Sequence, residues 1–214
     1  MKHLIGLLLL SLFLFGCATP KSFVDKRYSS AKYSDIVKKA EPYKLKFTVM
    51  FQRNGENFPQ VNAELLGHVE RTLRATGVIV PASDAADGEI TIVMNNIADM
   101  QQAYAKGFAT GLTFGIAEST VTDFYEMKAT IKLNNQTAYH QDYKHAIHTT
   151  VGSSSMESHP GAISPTAAFG KVMEDLLLNF VRDSQQSGIL SRFEGFTIPA
   201  YHQRNLHKLM LTNR

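Results

Sequence analysis

The 214-residue sequence contains one cysteine and no tryptophan. A single thiol excludes an internal disulfide, thiolate-rich zinc sites and iron–sulfur clusters, since all of these need several cysteines. The formal net charge of +3 is too small to indicate a nucleic-acid-binding protein. The chain is 44% hydrophobic, so it is able to bury a core, and its length suits one packed domain.

Sequence motifs of the common enzyme classes are also missing. There is no Gly-x-Ser-x-Gly nucleophile elbow, no glycine-rich phosphate loop ending in lysine, and no His-Glu-x-x-His. The serines at 153–155 have no base placed beside them by the sequence. We therefore expect neither enzymatic activity nor a cofactor, with a periplasmic hydrolase as the alternative.

The first residues have the layout of an export signal. A basic start, Met1 to His3, precedes an apolar run over residues 4–15 that only Gly6 and Ser11 interrupt. As a helix this run would span about 18 Å, against about 30 Å for the core of a bilayer. A permanent transmembrane helix is therefore disfavoured.

Residues 14–17, Leu-Phe-Gly-Cys, resemble the lipobox of bacterial lipoproteins, although Phe15 replaces the usual small or β-branched residue. The resemblance implies that residues 1–16 are removed as a signal peptide and that Cys17 carries a diacylglyceryl group on sulfur. It also implies that the new amino group is acylated, by palmitate or a similar chain. Several acyl chains hold a protein firmly to a membrane. The alternative is an ordinary signal peptide followed by an unmodified cysteine.

The residue after Cys17 bears on the membrane to which the protein is sorted. Ala18 stands there instead of aspartate, which is similar to lipoproteins sorted to the outer membrane. We therefore expect a lipid-anchored protein of the bacterial envelope that faces the periplasm from the outer membrane.

The remaining chain divides into a tether, one domain and a tail. Residues 17–42 comprise the acylated cysteine and a serine-containing, mostly basic tether, which either contacts anionic headgroups or is simply solvated. Residues 43–190 form the domain. Residues 191–214 are a basic tail that either folds on a partner or frays.

Hydrophobic periodicity predicts the elements of this domain. Alternation indicates strands, whereas apolar residues that recur every three to four positions indicate helices. Gly77 and the Ser164-Pro165 pair suit a helix end and a helix start. The pattern predicts strands at 44–53, 78–80, 89–95, 121–133 and 137–151, and helices from Val61 to Gly77 and from Pro165 to about Gln186.

This order of elements predicts an α+β domain. We expect a mainly antiparallel sheet of four to five strands with two amphipathic helices packed on one face. The order loosely resembles the small periplasmic α/β modules of envelope lipoproteins, such as the N-terminal domain of the TolB protein, without a shared motif.

Three glycines recur every four residues in an uncharged segment. Gly107, Gly111 and Gly115 would share one face of a helix within residues 107–117. Such a face permits close helix association in membranes, but the segment is far shorter than the roughly 20 residues that span a bilayer. It is either a segment that enters the membrane or joins copies of the protein, or a glycine-rich connection packed on the sheet.

Histidines form the only group of candidate metal ligands. Strand alternation places His140, Asp142 and His148 on one face of the last strand and His145 on the other. His140 and His148 would lie about 26 Å apart along an extended strand. They cannot share an ion, so we expect exposed histidines and no metal site, with metal binding as an alternative.

Cys17 is thus the one residue to which the sequence assigns a function. We expect a lipid-anchored, periplasm-facing binding or scaffolding module whose partner is an envelope protein or a second copy of the chain. The alternative is a membrane-associated oligomer or channel-type assembly that uses residues 107–117.

Overall fold

The structure is a computed structural model that describes residues 20–28, 31–83, 86–98, 119–133, 136–151 and 161–192. The predicted signal peptide, Cys17, the glycine segment 107–117 and nearly all of the predicted tail lie outside these residues. The predictions for them stay predictions. No helix in the described part of the chain is both long and apolar enough to cross a bilayer.

One sheet of seven strands organises the described residues. Its order is β1-β7-β6-β5-β2-β3, and β4 pairs with β2 beside this row. Neighbours are antiparallel except that β2 runs parallel to β4 and to β5. The strands are β1 Lys21–Val24, β2 Tyr43–Arg53, β3 Glu56–Asn57, β4 Ile79–Pro81, β5 Gly88–Ala98, β6 Ser119–Leu133 and β7 Gln136–Val151.

The predicted α+β class, the mostly antiparallel sheet and the two helices are confirmed, but the predicted count of four to five strands is wrong. The two additional strands are β1 and β3, which have four and two residues and are too short to show alternation. The parallel pairing has a separate cause. The helix after β3 returns the chain across the sheet, so that β4 and β5 start at the same end as β2.

Both helices lie on one face of the sheet. The first, α1, is Asn62–Thr76 and packs over β2 and β4; the second, α2, is Pro165–Gln186 and packs over β7 and β1. Gly77 ends α1 with a φ of 69°, a left-handed conformation that glycine adopts without strain. The side chain of Ser164 caps α2 by accepting a bond from the backbone N–H of Ala167 at 3.2 Å.

The core fills the space between the helices and the sheet. Alternate residues of the four long strands meet the apolar stripes of α1 and α2, and many are fully buried. The largest of them are Leu45, Leu65, Leu73, Ile79, Ile90, Ile92, Met94, Met127, Ile131, Met173, Leu176 and Phe180.

The opposite face of the sheet is polar and is not covered by a helix within the described residues. Cross-strand pairs such as Thr48 with Glu89, and Lys144 with Glu126, lie there. Two large apolar side chains are also exposed on it, Met50 at 38% and Phe124 at 42%. One face of the sheet is therefore buried under the helices, and the other presents mostly polar side chains.

Candidate functional site

A groove of about 730 Å³ opens where β1 ends beside β7 and α2 passes over both strands. Apolar groups of Phe23, Val24 and Ile163 form part of its lining. The rest of the lining comes from two charged clusters and from Lys26, Tyr28 and Gly161. We call this cavity the β1–β7 groove.

The groove exists because β1 turns away from β7 after four residues. The backbone N–H of Asp25 donates to the carbonyl of Ala146 at 3.0 Å, the last backbone bond between the two segments. The Asp25 carboxylate then accepts a bond from the backbone N–H of Arg27 at 2.9 Å. This side-chain bond holds the chain in a turn, as aspartate does in many loops.

The first charged cluster surrounds Asp25 and comprises Asp25, Arg27 and His148. The guanidinium of Arg27 binds the carboxylate through Nε at 3.0 Å and Nη2 at 2.6 Å. On the other side, His148 Nε2 lies 3.2 Å from Asp25 Oδ2, while His148 Nδ1 contacts the hydroxyl of Thr122 at 2.8 Å. The bonds from Arg27 hold the pKa of Asp25 well below its ordinary value, although burial opposes them.

The second charged cluster lies under α2 and comprises His145, Lys171 and Asp175. His145 is 2% exposed, and its Nε2 lies 3.5 Å from Asp175 Oδ2. Lys171, one turn earlier on α2, donates to Asp175 Oδ1 at 2.9 Å. Burial alone would raise the pKa of Asp175, but the bonds from His145 and Lys171 outweigh it and the pKa is lowered.

The hydrogen bonds of His145 assign its tautomer. The backbone N–H of Ala146 donates to His145 Nδ1 at 2.9 Å, so that this nitrogen accepts and Nε2 carries the proton that faces Asp175. His145 is thereby fixed at both nitrogens. It acts as a structural link between β7 and α2.

Hydrogen-bond donors are left over in the groove once these clusters are formed. Both carboxylates are engaged, whereas the ammonium of Lys26 and the hydroxyl of Tyr28 form no hydrogen bond within the described residues; that hydroxyl interacts only electrostatically with Arg27 and Lys144. The Tyr28 ring lies against that of His145, with centroids 5.1 Å apart. The groove therefore offers free donors beside an apolar wall, which suits a ligand with an acceptor or anionic group and an apolar part.

The row Thr122–His148–Asp25 has the order of hydroxyl, imidazole and carboxylate found in catalytic triads. The same order recurs on the exposed part of the sheet, where His140 contacts Thr130 at 2.9 Å and Asp142 at 3.4 Å. In both places the threonine and histidine are directly opposite each other on β6 and β7. The repetition favours cross-strand pairing over catalysis as the origin of the row.

The structure separates the predicted histidine group as strand alternation requires. His140 and His148 lie on the open side of β7 and His145 on the helix side. The expectation that the histidines are exposed is wrong for His145, because Asp175 of α2 covers it. No group of three or more metal-ligating side chains that could hold an ion occurs within the described residues.

Most residues that line the groove were not predicted from the sequence as site residues. Asp25, Lys26 and Tyr28 lie in the segment interpreted as a tether, and Lys171 and Asp175 follow from no motif. One signal was present: Asp175 interrupts the apolar stripe of α2, next to Val172 and Leu176. A carboxylate inside an apolar stripe needs a buried partner, and here that partner is His145.

Comparisons with known proteins define no family for the chain. No family model matches it, and no curated protein matches it. A solved Xanthomonas campestris protein of the family model DUF330 is 11% identical, with coverage of 71% of this chain and 94% of that chain and a TM-score of 0.36.

Two solved PelC dodecamers from Paraburkholderia phytofirmans, one of them a variant, are also similar. They are 11% and 14% identical to the chain and cover 77% and 75% of it, and 96% and 99% of their own chains. Their TM-scores are 0.28 and 0.29. Similarities at this level assign neither a fold family nor a function to the chain.

Proposed function

We propose that the protein is a lipid-anchored binding module of the bacterial envelope that faces the periplasm and holds its ligand in the β1–β7 groove. The observation that carries this proposal is the groove itself, with paired carboxylates, free donors and an apolar wall. The proposed ligand is amphipathic and carries a carboxylate, a phosphate or a similar acceptor group.

The predicted lipid anchor lies close to the groove along the chain. Cys17 precedes Lys21, the first residue of β1, by four residues, which span at most about 14 Å when fully extended. The described residues after β1 also pack on the domain: the backbone N–H of Ala31 donates to Asn179 Oδ1 at 2.8 Å. Acylation of Cys17 would therefore hold the groove near the membrane surface.

The position of the donors supports the ligand class. Lys26 is exposed at the rim of the groove, while Tyr28 and the apolar groups lie further in. Because Asp25 and Asp175 already have cationic partners, an additional cation would have no free carboxylate to meet. A ligand with an anionic head at Lys26 and an apolar part against Ile163 fits this arrangement.

Fluorescence titration tests the groove directly. The chain has no tryptophan, so Phe23→Trp places a single reporter in the lining. For the full-length protein in lipid nanodiscs, we expect octanoate to shift this emission at lower concentration than the uncharged octanamide does. Lys26→Gln should weaken octanoate binding by about threefold, since one partly solvated charge pair contributes up to about 1 kcal/mol.

Lys46→Gln is the matched control, because Lys46 is an exposed lysine on β2, away from the groove. It should leave octanoate binding unchanged. Equal affinity for octanoate and octanamide would contradict the proposed ligand class, and an emission that neither compound shifts would contradict the proposed site.

A separate experiment tests the anchor. Cys17→Ser should abolish metabolic labelling by fatty acid and release the protein from the membrane fraction, because the sulfur that carries the diacylglyceryl group is gone. Labelling that persisted in this variant would show that the lipobox assignment is wrong.

A further inference from the structure

One edge of the sheet is left open along most of β7 by the residues that the structure describes. The strand runs from Gln136 to Val151, but β1 pairs only with its last part, from Ile147 to Thr150. Among the described residues no strand lies beside the remainder of that edge. An edge of this length is a template on which another strand is able to pair.

Backbone bonds show which groups of β7 face this edge. The carbonyl of Ala146 points outward, since it accepts the bond from Asp25 N–H at 3.0 Å. In an antiparallel strand every second residue points the same way, so the N–H and C=O groups of Lys144, Asp142 and His140 also face outward. Within the described part of the chain, the carbonyl of Asp142 accepts a bond only from the side chain of Gln141, at 3.4 Å.

The free edge has a defined upper limit at Ala146. Its carbonyl is taken by Asp25, and its N–H donates to His145 Nδ1 at 2.9 Å. A second strand therefore finds no free backbone group at that residue. The stretch of β7 that is free to pair therefore lies on the N-terminal side of Ala146 and extends toward Tyr139.

The side chains of this stretch complement those of a second copy of the same stretch in one antiparallel register. Two copies related by a two-fold axis must have the axis on a residue, because directly paired residues share a face of the sheet. With the axis on Gln141, His140 faces Asp142 of the second copy and Tyr139 faces Tyr143 of the second copy, each twice. An imidazole that faces a carboxylate across two strands can hydrogen-bond to it, and such cross-strand pairs stabilise a sheet.

Neighbouring registers are less favourable. An axis on Asp142 sets two carboxylates against each other and His140 against Lys144. An axis on Tyr143 pairs Asp142 with Lys144 of the second copy, but it also sets His140 against Ala146, whose outward groups are already used. An axis on His140 sets that imidazole against its own copy. Charge disfavours the registers centred on Asp142 and His140, and the engaged backbone of Ala146 disfavours the one centred on Tyr143, so the register centred on Gln141 is selected.

We infer that two copies of this chain associate edge to edge through β7, antiparallel, with Gln141 on the two-fold axis. The two sheets become one continuous sheet across the axis. Each His140–Asp142 pair exchanges both of its backbone N–H···O bonds. This inference does not depend on the ligand of the groove, because the paired stretch ends before Ala146.

A disulfide across the axis tests the register. Gln141 is exposed and would lie directly opposite its own copy in a pair that is not hydrogen-bonded, where Cβ atoms approach within about 5 Å. Full-length Gln141→Cys protein in its own membrane should convert to a disulfide-linked dimer on mild oxidation. Lys128→Cys is the control, because Lys128 is exposed on the same sheet one strand further in.

Cys17 is common to both variants, so any dimer it forms appears in each of them. If Gln141→Cys gives no more dimer than Lys128→Cys, the inference is overturned. A dimer in the register centred on Tyr143 would give the same negative result, because the two cysteines at position 141 would lie too far apart to form a disulfide. The experiment therefore tests the register as well as the association.

Charge exchange tests the recognition independently. His140→Asp sets carboxylates against each other twice, and it should raise the dissociation constant of the full-length dimer in detergent by about tenfold in sedimentation velocity. The exchange variant His140→Asp/Asp142→His restores both imidazole–carboxylate pairs and should return the constant to near its natural value. An unchanged constant in His140→Asp, or a natural chain that sediments as a monomer, would overturn the inference.

Discussion

The two charged clusters of the groove contain the same types of group on opposite sides of β7, but they differ in access to water. His145 and Asp175 are almost completely buried under α2, at 2% and 4% exposure. In the Asp25 cluster the carboxylate is buried, whereas the Arg27 side chain is 78% exposed. The Asp175 cluster therefore ties a helix to the sheet, and the Asp25 cluster shapes a turn that solvent reaches. Mutations should separate these two roles.

The largest effect should come from the buried carboxylate. Asp175→Leu leaves His145 without its partner in a dry environment and removes one partner of Lys171. We expect the free energy of unfolding to fall by about 2 to 3 kcal/mol, measured by urea denaturation. Asp175→Asn is the control, since its amide keeps a hydrogen-bonding group and should lose less. Equal losses in the two variants would assign the effect to packing.

The corresponding change in the other cluster should cost less. Asp25→Asn keeps an oxygen that can accept from the backbone N–H of Arg27, and the exposed guanidinium remains solvated. We expect a loss of about 1 kcal/mol in the same urea experiment. A loss as large as that of Asp175→Leu would remove the distinction between the two clusters.

Lowering the pH should reduce the stability that each of the two clusters gives to the folded chain. The pKa values of Asp25 and Asp175 are lowered in the folded state, so the unfolded chain binds protons first as the pH falls. Their stabilisation is present above the ordinary aspartate pKa of about 3.9 and is lost as the pH falls toward the folded values. Urea denaturation at pH 5 and pH 3 should show a smaller drop in stability for Asp25→Asn than for the natural chain.

The smallest effect should come from the hydroxyl that orients His148. Thr122→Val removes the 2.8 Å contact to His148 Nδ1 while it keeps the shape of the side chain, and we expect a loss of about 0.5 kcal/mol. Thr130→Val is the matched control, since its partner His140 is exposed and water replaces the bond. Thermal denaturation should show a lower Tm for Thr122→Val than for Thr130→Val.

The elements that could be predicted from the sequence are those whose residues alternate or recur over a long stretch. The β6–β7 hairpin and α2 follow from their patterns, and Gly77 ends α1 in a left-handed conformation as the sequence indicates. β1 has no such pattern, because it has only four residues, two polar ones followed by two apolar ones, and it pairs with a strand more than a hundred positions away. Periodicity is local information and does not report partners of that kind.

The groove could not be predicted for the same reason. Two partners of Asp25 lie close to it in sequence, namely the turn at 25–28 and Arg27. Its third partner, His148, lies more than a hundred positions away, so no local pattern links the two residues. The alternation of β7 correctly puts His145 and His148 on opposite sides, and it does not show that α2 covers one of them with a carboxylate. Identifying the site required knowing which strand β1 joins.

The position of β1 also has a consequence for how the protein folds. The hydroxyls of Ser22 and Thr149 meet at 2.8 Å although 127 positions separate them. Pairing over such distances is slow, because loop closure costs entropy before any contact forms. β1 therefore has no strand to pair with until β7 has been synthesised, and a chain that ended before β7 would leave β1 without its neighbour.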